Sequence, residues 1–291
     1  MAQRYWMERG SESRESLMPE LPEVETIVRD LRPELLGRRL LSARLSHDDV
    51  LRGVSRRTLH AGLKGRTVTA VTRRAKHAVI ATETRRLVVQ PGMTGSLMVH
   101  RHDLTADERR YAVLRVALDD GGTLVYRDVR RLGTLLWLDE RGWRGYDSSL
   151  GPEPLDPTFT PHALRQILAG SRAAVKKVLM DQRAIAGVGN IYANEALFAA
   201  GVDPSKPANA VTAPSTGRLH RHLVRILEAA IASQGTTFRD YRTGTGEAGN
   251  FQLELLVYGR EGEPCRRCGT SLSGTHSIDA RITVFCHRCQ S

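Results

Sequence analysis

Residues 16–28 read SLMPELPEVETIV, which sets an internal methionine, two prolines and three glutamates around the start of an apolar-periodic run. Val24, Ile27, Val28, Leu31 and Leu35 recur at helical spacing, so a helix from Pro22 would bury one face. Pro22 suits the first turn, where a missing N–H costs nothing, and Glu23 and Glu25 complement the positive end of the helix dipole. Pro33 and Gly37 mark the approach to its close. A second reading of the same stretch is a reactive amino terminus immediately behind Met18. The residues alone leave both open.

From about residue 38 to 140 the texture changes to short strand-like runs: RTVTAVT, HAVIATE, LVVQPGMTGSLMV, AVLRVALDDGGTLVY and LGTLLWL. Asp120-Gly121 between two apolar runs is a hairpin signal, and the whole reads as an antiparallel sandwich or barrel. YDSSLGPEPLDPTFTP at 146–161 holds four prolines and no periodicity, so it is a domain boundary or hinge. Beyond it HALRQILAG, AAVKKVLMDQ, IYANEALFAAG and TGRLHRHLVRILEAAIASQG read as helices. In the third, Ala193, Ala196, Leu197 and Ala200 form a stripe and Gly201 a stop. GTTFRDYRTGTGEAGN at 235–250 reads as a mobile loop.

Lys and Arg number 43 against 32 acidic residues, a formal charge of +11 that favours a polyanionic partner such as nucleic acid. The first seventeen residues mix arginine, glutamate and serine without the apolar core of a signal peptide, and no stretch approaches the ~18 apolar residues of a membrane span. The cytoplasm is the expected compartment. All four cysteines lie between 265 and 289, which in an intracellular chain reads as metal ligation rather than disulfide bonding.

Cys265-x2-Cys268 and Cys286-x2-Cys289, separated by seventeen residues, have the two-knuckle spacing that surrounds one tetrahedral zinc with four thiolates. Four protein ligands leave no open position, so the expected zinc is structural. The intervening loop carries Arg281 and is flanked by Arg266, Arg267 and Arg288, a basic hairpin aimed at phosphates; His276 and His287 read as spare loop histidines. GVGNIYANE at 187–195 places two glycines before a helix start, suited to gripping an anion, although a glycine turn with an Asn190 cap explains it equally well structurally.

MPELPEVET at 18–26, RRAKH at 73–77, GMTGSL at 92–97, DVRRLG at 128–133, LGPEPL at 150–155, GVGNIYANEALFAAG at 187–201, VYGREGEPC at 257–265 and the four cysteines together resemble the Fpg branch of the Fpg/Nei DNA glycosylases. The match runs in order from Pro19 to Gln290. It implies an α+β multidomain protein: an N-terminal antiparallel β-sandwich with flanking helices over 19–150, a helix–two-turn–helix domain over 151–255 and a β-hairpin zinc finger over 256–291. Residues 1–18 would be an extension or a misassigned start.

The resemblance implies that the secondary amine of Pro19 attacks C1′ of the damaged nucleoside. A proline nitrogen in a peptide bond has no such lone pair, so Met18 is the expected functional start, removed afterwards; an inactive or proteolytically activated product is the alternative. Glu20 would protonate the sugar ring oxygen, with Glu23 structural or orienting. Lys76 would contact DNA and assist β-elimination, Arg281 the δ-elimination, and Lys176 and Asn190 would grip phosphates. Met93, Arg130 and Leu132 would fill the space left by an everted nucleotide. The chain departs from the family in having RRL rather than RRF at 130–132, and in holding Tyr111 to Val113 where a histidine is expected. The implied protein is a monomeric bacterial enzyme of the nucleoid that excises oxidised purines from double-stranded DNA and cleaves the strand by β,δ-elimination. A preference for oxidised pyrimidines, or noncatalytic binding of damaged DNA through an acylated Pro19, are the competing expectations.

Overall fold

The computed structural model describes residues 18–236, 243–247 and 249–291. Helix α1 (Leu21–Leu35) opens the described chain, and Val24, Ile27, Val28, Leu31 and Leu35 are all buried, as their spacing predicts. Its N-cap is Glu20, which closes a capping box with Glu23. Each of those aliphatic side chains contributes about 1.5–3 kcal/mol by leaving water. The helix packs on one side against the sandwich and on the other against the long helix of the second domain.

The sandwich comprises β1 (Leu40–Leu45), β2 (Leu51–Arg52), β3 (Val68–Arg74), β4 (His77–Thr82), β5 (Arg86–Gln90), β6 (Gly95–His100), β7 (Ala112–Leu118), β8 (Thr123–Asp128) and β9 (Thr134–Leu138). One sheet has the order β1-β7-β8-β6 and the other β2-β9-β5-β4-β3. Pairing is antiparallel except for the two-residue parallel contact of β2 with β9. The Asp120-Gly121 turn joins β7 to β8, with Gly121 at φ 86°, where a side chain would be strained. Two short helices, α2 (Arg56–Leu63) and α3 (Ala106–Tyr111), interrupt the strands, and α4 (Glu140–Ser148) follows the last of them. The last two bury no residue fully, which is why periodicity did not reveal them.

The second domain holds α5 (Pro161–Ala169), α6 (Val175–Met180), α7 (Asn190–Ala200) and α8 (Ala213–Ala232), with two successive turns between α6 and α7. Helix α7 is more than a stripe: every residue from Asn190 to Phe198 is buried, so it is the axis on which the domain packs. Its cap is Gly189, not Asn190, and Gly201 at φ 69° ends it. The C-terminal finger pairs β10 (Ser273–Thr275) with β11 (Thr283–Phe285). Among the described residues no helix is long and apolar enough to cross a membrane. The reading of 235–250 as a mobile loop falls partly on residues 237–242 and 248, outside the described residues.

Buried polar groups on α7 tie the finger to this axis. Glu195 accepts from the backbone N–H of Leu256 (2.9 Å), Val257 (2.9 Å) and Tyr258 (2.8 Å), and Asn194 Oδ1 accepts from Val284 N at 2.9 Å. A carboxylate serving three backbone donors, two of them buried, is worth more than any of them singly, because its removal leaves all three without it. Glu195→Ala is expected to cost about 3 kcal/mol of stability, measured by urea denaturation.

Candidate active site and nucleic-acid interface

The site grows from the residue that caps α1. Glu20 is 3% exposed, and its Oε1 accepts from Ile191 N at 3.0 Å. The amides of Gly189 and Tyr192 also hold the carboxylate. The glycine turn at 187–189 thus grips an acidic group at a helix start, but the group is the chain's own carboxyl. Any Cβ on Gly189 would overlap both the Glu20 carboxylate and Lys76 Nζ, so only glycine allows the three elements to meet. Glu20 Oε2 is buried with no hydrogen-bond partner among the described residues. Burial pushes the Glu20 carboxyl above its ordinary range against the opposing pull of Lys76 and the helix amides. Burial pushes the Lys76 ammonium down, and the charge of Arg281 adds to that effect.

Lys76 owes its place to a two-residue hairpin between Arg74 and His77. Ala75, fully buried, turns at φ 51°, a conformation that costs a non-glycine residue energy and needs support. Glu153 supplies it from the interdomain segment: Oε1 accepts from Ala75 N at 2.7 Å and Arg74 Nη1 at 3.1 Å, and Oε2 pairs with Arg73 at 2.7 Å. Arg74 also donates to the carbonyls of Leu150 (3.3 Å) and Gly151 (3.0 Å). The proline-rich hinge is therefore latched to the hairpin that carries Lys76.

Glu23 stands behind Glu20. It accepts from Glu20 N at 2.9 Å, Tyr192 Oη at 2.6 Å and Thr236 N at 2.8 Å. Burial, then the neighbouring Glu20 charge, pushes its carboxyl up to about 7. Pro19 is buried next to Glu20 in the chain, and its nitrogen is joined to Met18.

A second cluster collects the expected void-filling residues. Asp128, 1% exposed, accepts from Thr94 Oγ1 at 2.6 Å, Tyr126 Oη at 3.0 Å and Gly133 N at 2.9 Å. Thr94 Oγ1 in turn accepts from Arg130 N at 3.0 Å. This network binds the 91–95 turn to the 129–133 turn and sets Arg130 beside Met93 Sδ at 4.0 Å. Leu132 is left 47% exposed, an apolar tip on a basic surface.

The finger closes the far side. Arg281 is exposed on the hairpin. Lys176 departs from the expected phosphate-facing position: it is fully buried, and its ammonium donates to Thr283 Oγ1 at 2.7 Å and Ile282 O at 3.2 Å, with Asp279 3.5 Å away. Asn190 donates to the same Ile282 carbonyl at 3.1 Å. Both residues brace the hairpin against α6 and α7. The sulfurs of Cys265, Cys268, Cys286 and Cys289 lie within 4.8 Å of one another, with Cys268–Cys286 at 3.5 Å and Cys265–Cys289 at 4.0 Å, a cluster able to hold one metal ion. Neither Glu153 nor Asp128 stands out in the sequence, although both sit in stretches, LGPEPL and DVRRLG, that carry the resemblance.

Comparison with known proteins matches residues 18–135 to the formamidopyrimidine-DNA glycosylase N-terminal domain and residues 150–242 to the formamidopyrimidine-DNA glycosylase H2TH domain. The chain belongs to the formamidopyrimidine-DNA glycosylase family. A formamidopyrimidine-DNA glycosylase of Stutzerimonas stutzeri is 43% identical over 273 residues, 94% of this chain and 100% of that protein. The MutM (Fpg) crystal structure from Thermus thermophilus superposes with a TM-score of 0.82 at 38% identity, covering 94% of this chain and 98% of that one. Lactococcus lactis Fpg in complex with DNA containing an abasic site superposes at 0.85 and 30% identity, covering 94% and 99%.

Two measurements probe this site. Gly189→Ala is expected to lose about 1–3 kcal/mol of stability through overpacking, whereas Gly217→Ala on α8, where a Cβ meets nothing within 4 Å, is expected to be neutral or slightly stabilising; paired thermal melts decide it. For Glu23 the folded value of about 7 lies above the ordinary glutamate value of 4.5, so the folded state holds the extra proton. Its contribution to stability is full below pH 4.5 and is lost as pH rises through about 7. Relative to Glu23→Gln, the wild type is expected to weaken between about pH 5 and pH 8 in urea titrations.

Proposed function

We propose that this chain is a bifunctional DNA glycosylase and abasic-site lyase that removes 8-oxoguanine and formamidopyrimidines from double-stranded DNA, acting as a monomer in the bacterial nucleoid. The observation that carries the reading is the buried Glu20 carboxyl, set beside Pro19 and Lys76 with its outer oxygen unpartnered among the described residues, in a chain of this family.

With the Pro19 nitrogen freed, its lone pair attacks C1′ of the damaged nucleotide as the bond from C1′ to the base breaks; the base leaves with the bonding pair and takes up the proton that the Pro19 nitrogen gives up. The Glu20 carboxyl, whose hold on its proton burial strengthens, gives that proton to the ring oxygen as the sugar opens, leaving an iminium between Pro19 and C1′. Loss of a C2′ proton then expels the 3′ phosphate, and a second elimination expels the 5′ phosphate. Lys76 and Arg281 serve these steps as cations beside the departing phosphates, and burial, which loosens the Lys76 proton, suits its ammonium to giving one up. Met93, Arg130 and Leu132 occupy the gap in the stack once the nucleotide is everted, a step that costs a few kcal/mol.

The four thiolates fit one structural zinc. Tetrahedral Zn–S bonds of about 2.3 Å place sulfurs about 3.8 Å apart, between the 3.5 and 4.0 Å found here. Bound zinc would fix the hairpin that presents Arg281, with Asn190 and Lys176 supporting it from below. A second reading, removal of oxidised pyrimidines, is left open by Leu132 in place of the aromatic wedge, while PELPEVET at 19–26 argues against it. Excision of 8-oxoguanine opposite cytosine against excision of thymine glycol separates the two.

Borohydride trapping tests the nucleophile. Polypeptide beginning at Pro19 is expected to form a reducible covalent complex with damaged duplex, and chain retaining residues 1–18 is expected to form none, since an acylated nitrogen cannot make an iminium. Equal trapping by chain whose mass shows it intact would overturn the assignment.

A further inference from the structure

At the end of β6 farthest from Met93, the side chains of His100, His102 and Glu108 turn toward a common point. One donor atom from each lies within 4.8 Å of the other two. Glu108 Oε1 is 3.4 Å from His100 Nδ1 and 3.5 Å from His102 Nε2. Those separations are longer than good hydrogen bonds, yet both imidazole nitrogens face the same oxygen. Three ligands on one tetrahedral ion, with metal–nitrogen and metal–oxygen bonds of about 2.0–2.2 Å, would stand about 3.4 Å apart. The two imidazoles are edge to face, with centroids 5.3 Å apart and planes at 73°, rather than stacked.

We propose that His100, His102 and Glu108 form a second metal site, for a divalent ion of the zinc class, with a fourth position open to solvent.

The donor set is preorganised. Glu108 is committed to the capping box of α3: its Oε2 accepts from Thr105 N at 2.7 Å and its own N–H donates to Thr105 Oγ1 at 3.3 Å. One carboxylate oxygen is thereby pinned to the backbone while the other is aimed at the histidines, the kind of outer hydrogen bond that orients a metal ligand. His100 is 9% exposed and fixed by the last pair of β6 with β8, whereas the His102 side chain is 60% exposed and gives the ion its route in. Two imidazoles and one carboxylate suit zinc, nickel, cobalt or copper better than calcium or magnesium, which prefer oxygen. β6 is an edge strand, so an ion here would clamp the end of that edge to α3. The site is distinct from the four cysteines, and a strand of this length, Gly95–His100, separates it from Met93 by about 17 Å.

The test counts metal in the full chain. Wild-type protein, Glu108→Gln and His102→Ala are equilibrated near neutral pH with buffered free zinc in the micromolar range and weighed by native mass spectrometry. Glutamine preserves the capping box, and His102 is exposed, so both variants are expected to fold as the wild type does. The wild type is expected to carry two zinc ions and each variant one, the ion on the cysteines serving as internal reference. Addition of zinc is also expected to raise the melting temperature of the wild type and not that of His102→Ala. A single ion in the wild type, or a second ion retained by both variants, would overturn the site.

Discussion

A carboxylate held on the first turn of a helix from another domain is the constraint from which the rest follows. Glu20 caps α1 through its backbone and is held by the amides of α7 through its side chain, so two helices of different domains share one residue. Burying that group is unfavourable unless its oxygens are served, and the amides with the nearby ammonium of Lys76 offset the cost. The offset is partial. One oxygen remains without a partner among the described residues, and the carboxyl holds its proton more tightly than it would in water.

The remaining elements keep this contact in register. Glu153 supports the strained Ala75 turn and thereby Lys76, linking the hinge to the hairpin. Glu23 joins α1 to Tyr192 on α7 and to Thr236 beyond α8. Asp128 does for the Met93 and Leu132 turns what Glu153 does for Lys76. In each case a single acid organises two or more backbone segments, so the precision of an exposed basic surface rests on acids set behind it.

Much of this was legible because it is local. The periodicity of 24–35, the Asp120-Gly121 turn, the glycines before α7 and the paired cysteines are each readable within a few residues. The contacts that make a site are not local: Glu20 meets Ile191 across 171 positions, and Ala75 meets Glu153 across 78. Lys176 shows the limit most plainly. Its neighbours on α6 give no sign that Val175, Lys176, Val178 and Leu179 are all buried, because that depends on where the finger docks. Short helices such as α3 escaped for the opposite reason, having no apolar face to betray them. The anion-gripping turn was read from composition, yet only the fold shows that its occupant comes from the other end of the chain.

The carbonyl of Ile282 accepts from both Lys176 and Asn190, and Asn190 opens the helix whose next amide holds Glu20. A distortion of the cysteine knuckles would therefore disturb a carbonyl that two buried donors share, and be transmitted one residue further, to the amide that holds Glu20. The sulfur cluster and the seat of the Glu20 carboxyl are, in this architecture, consecutive links of one short mechanical chain.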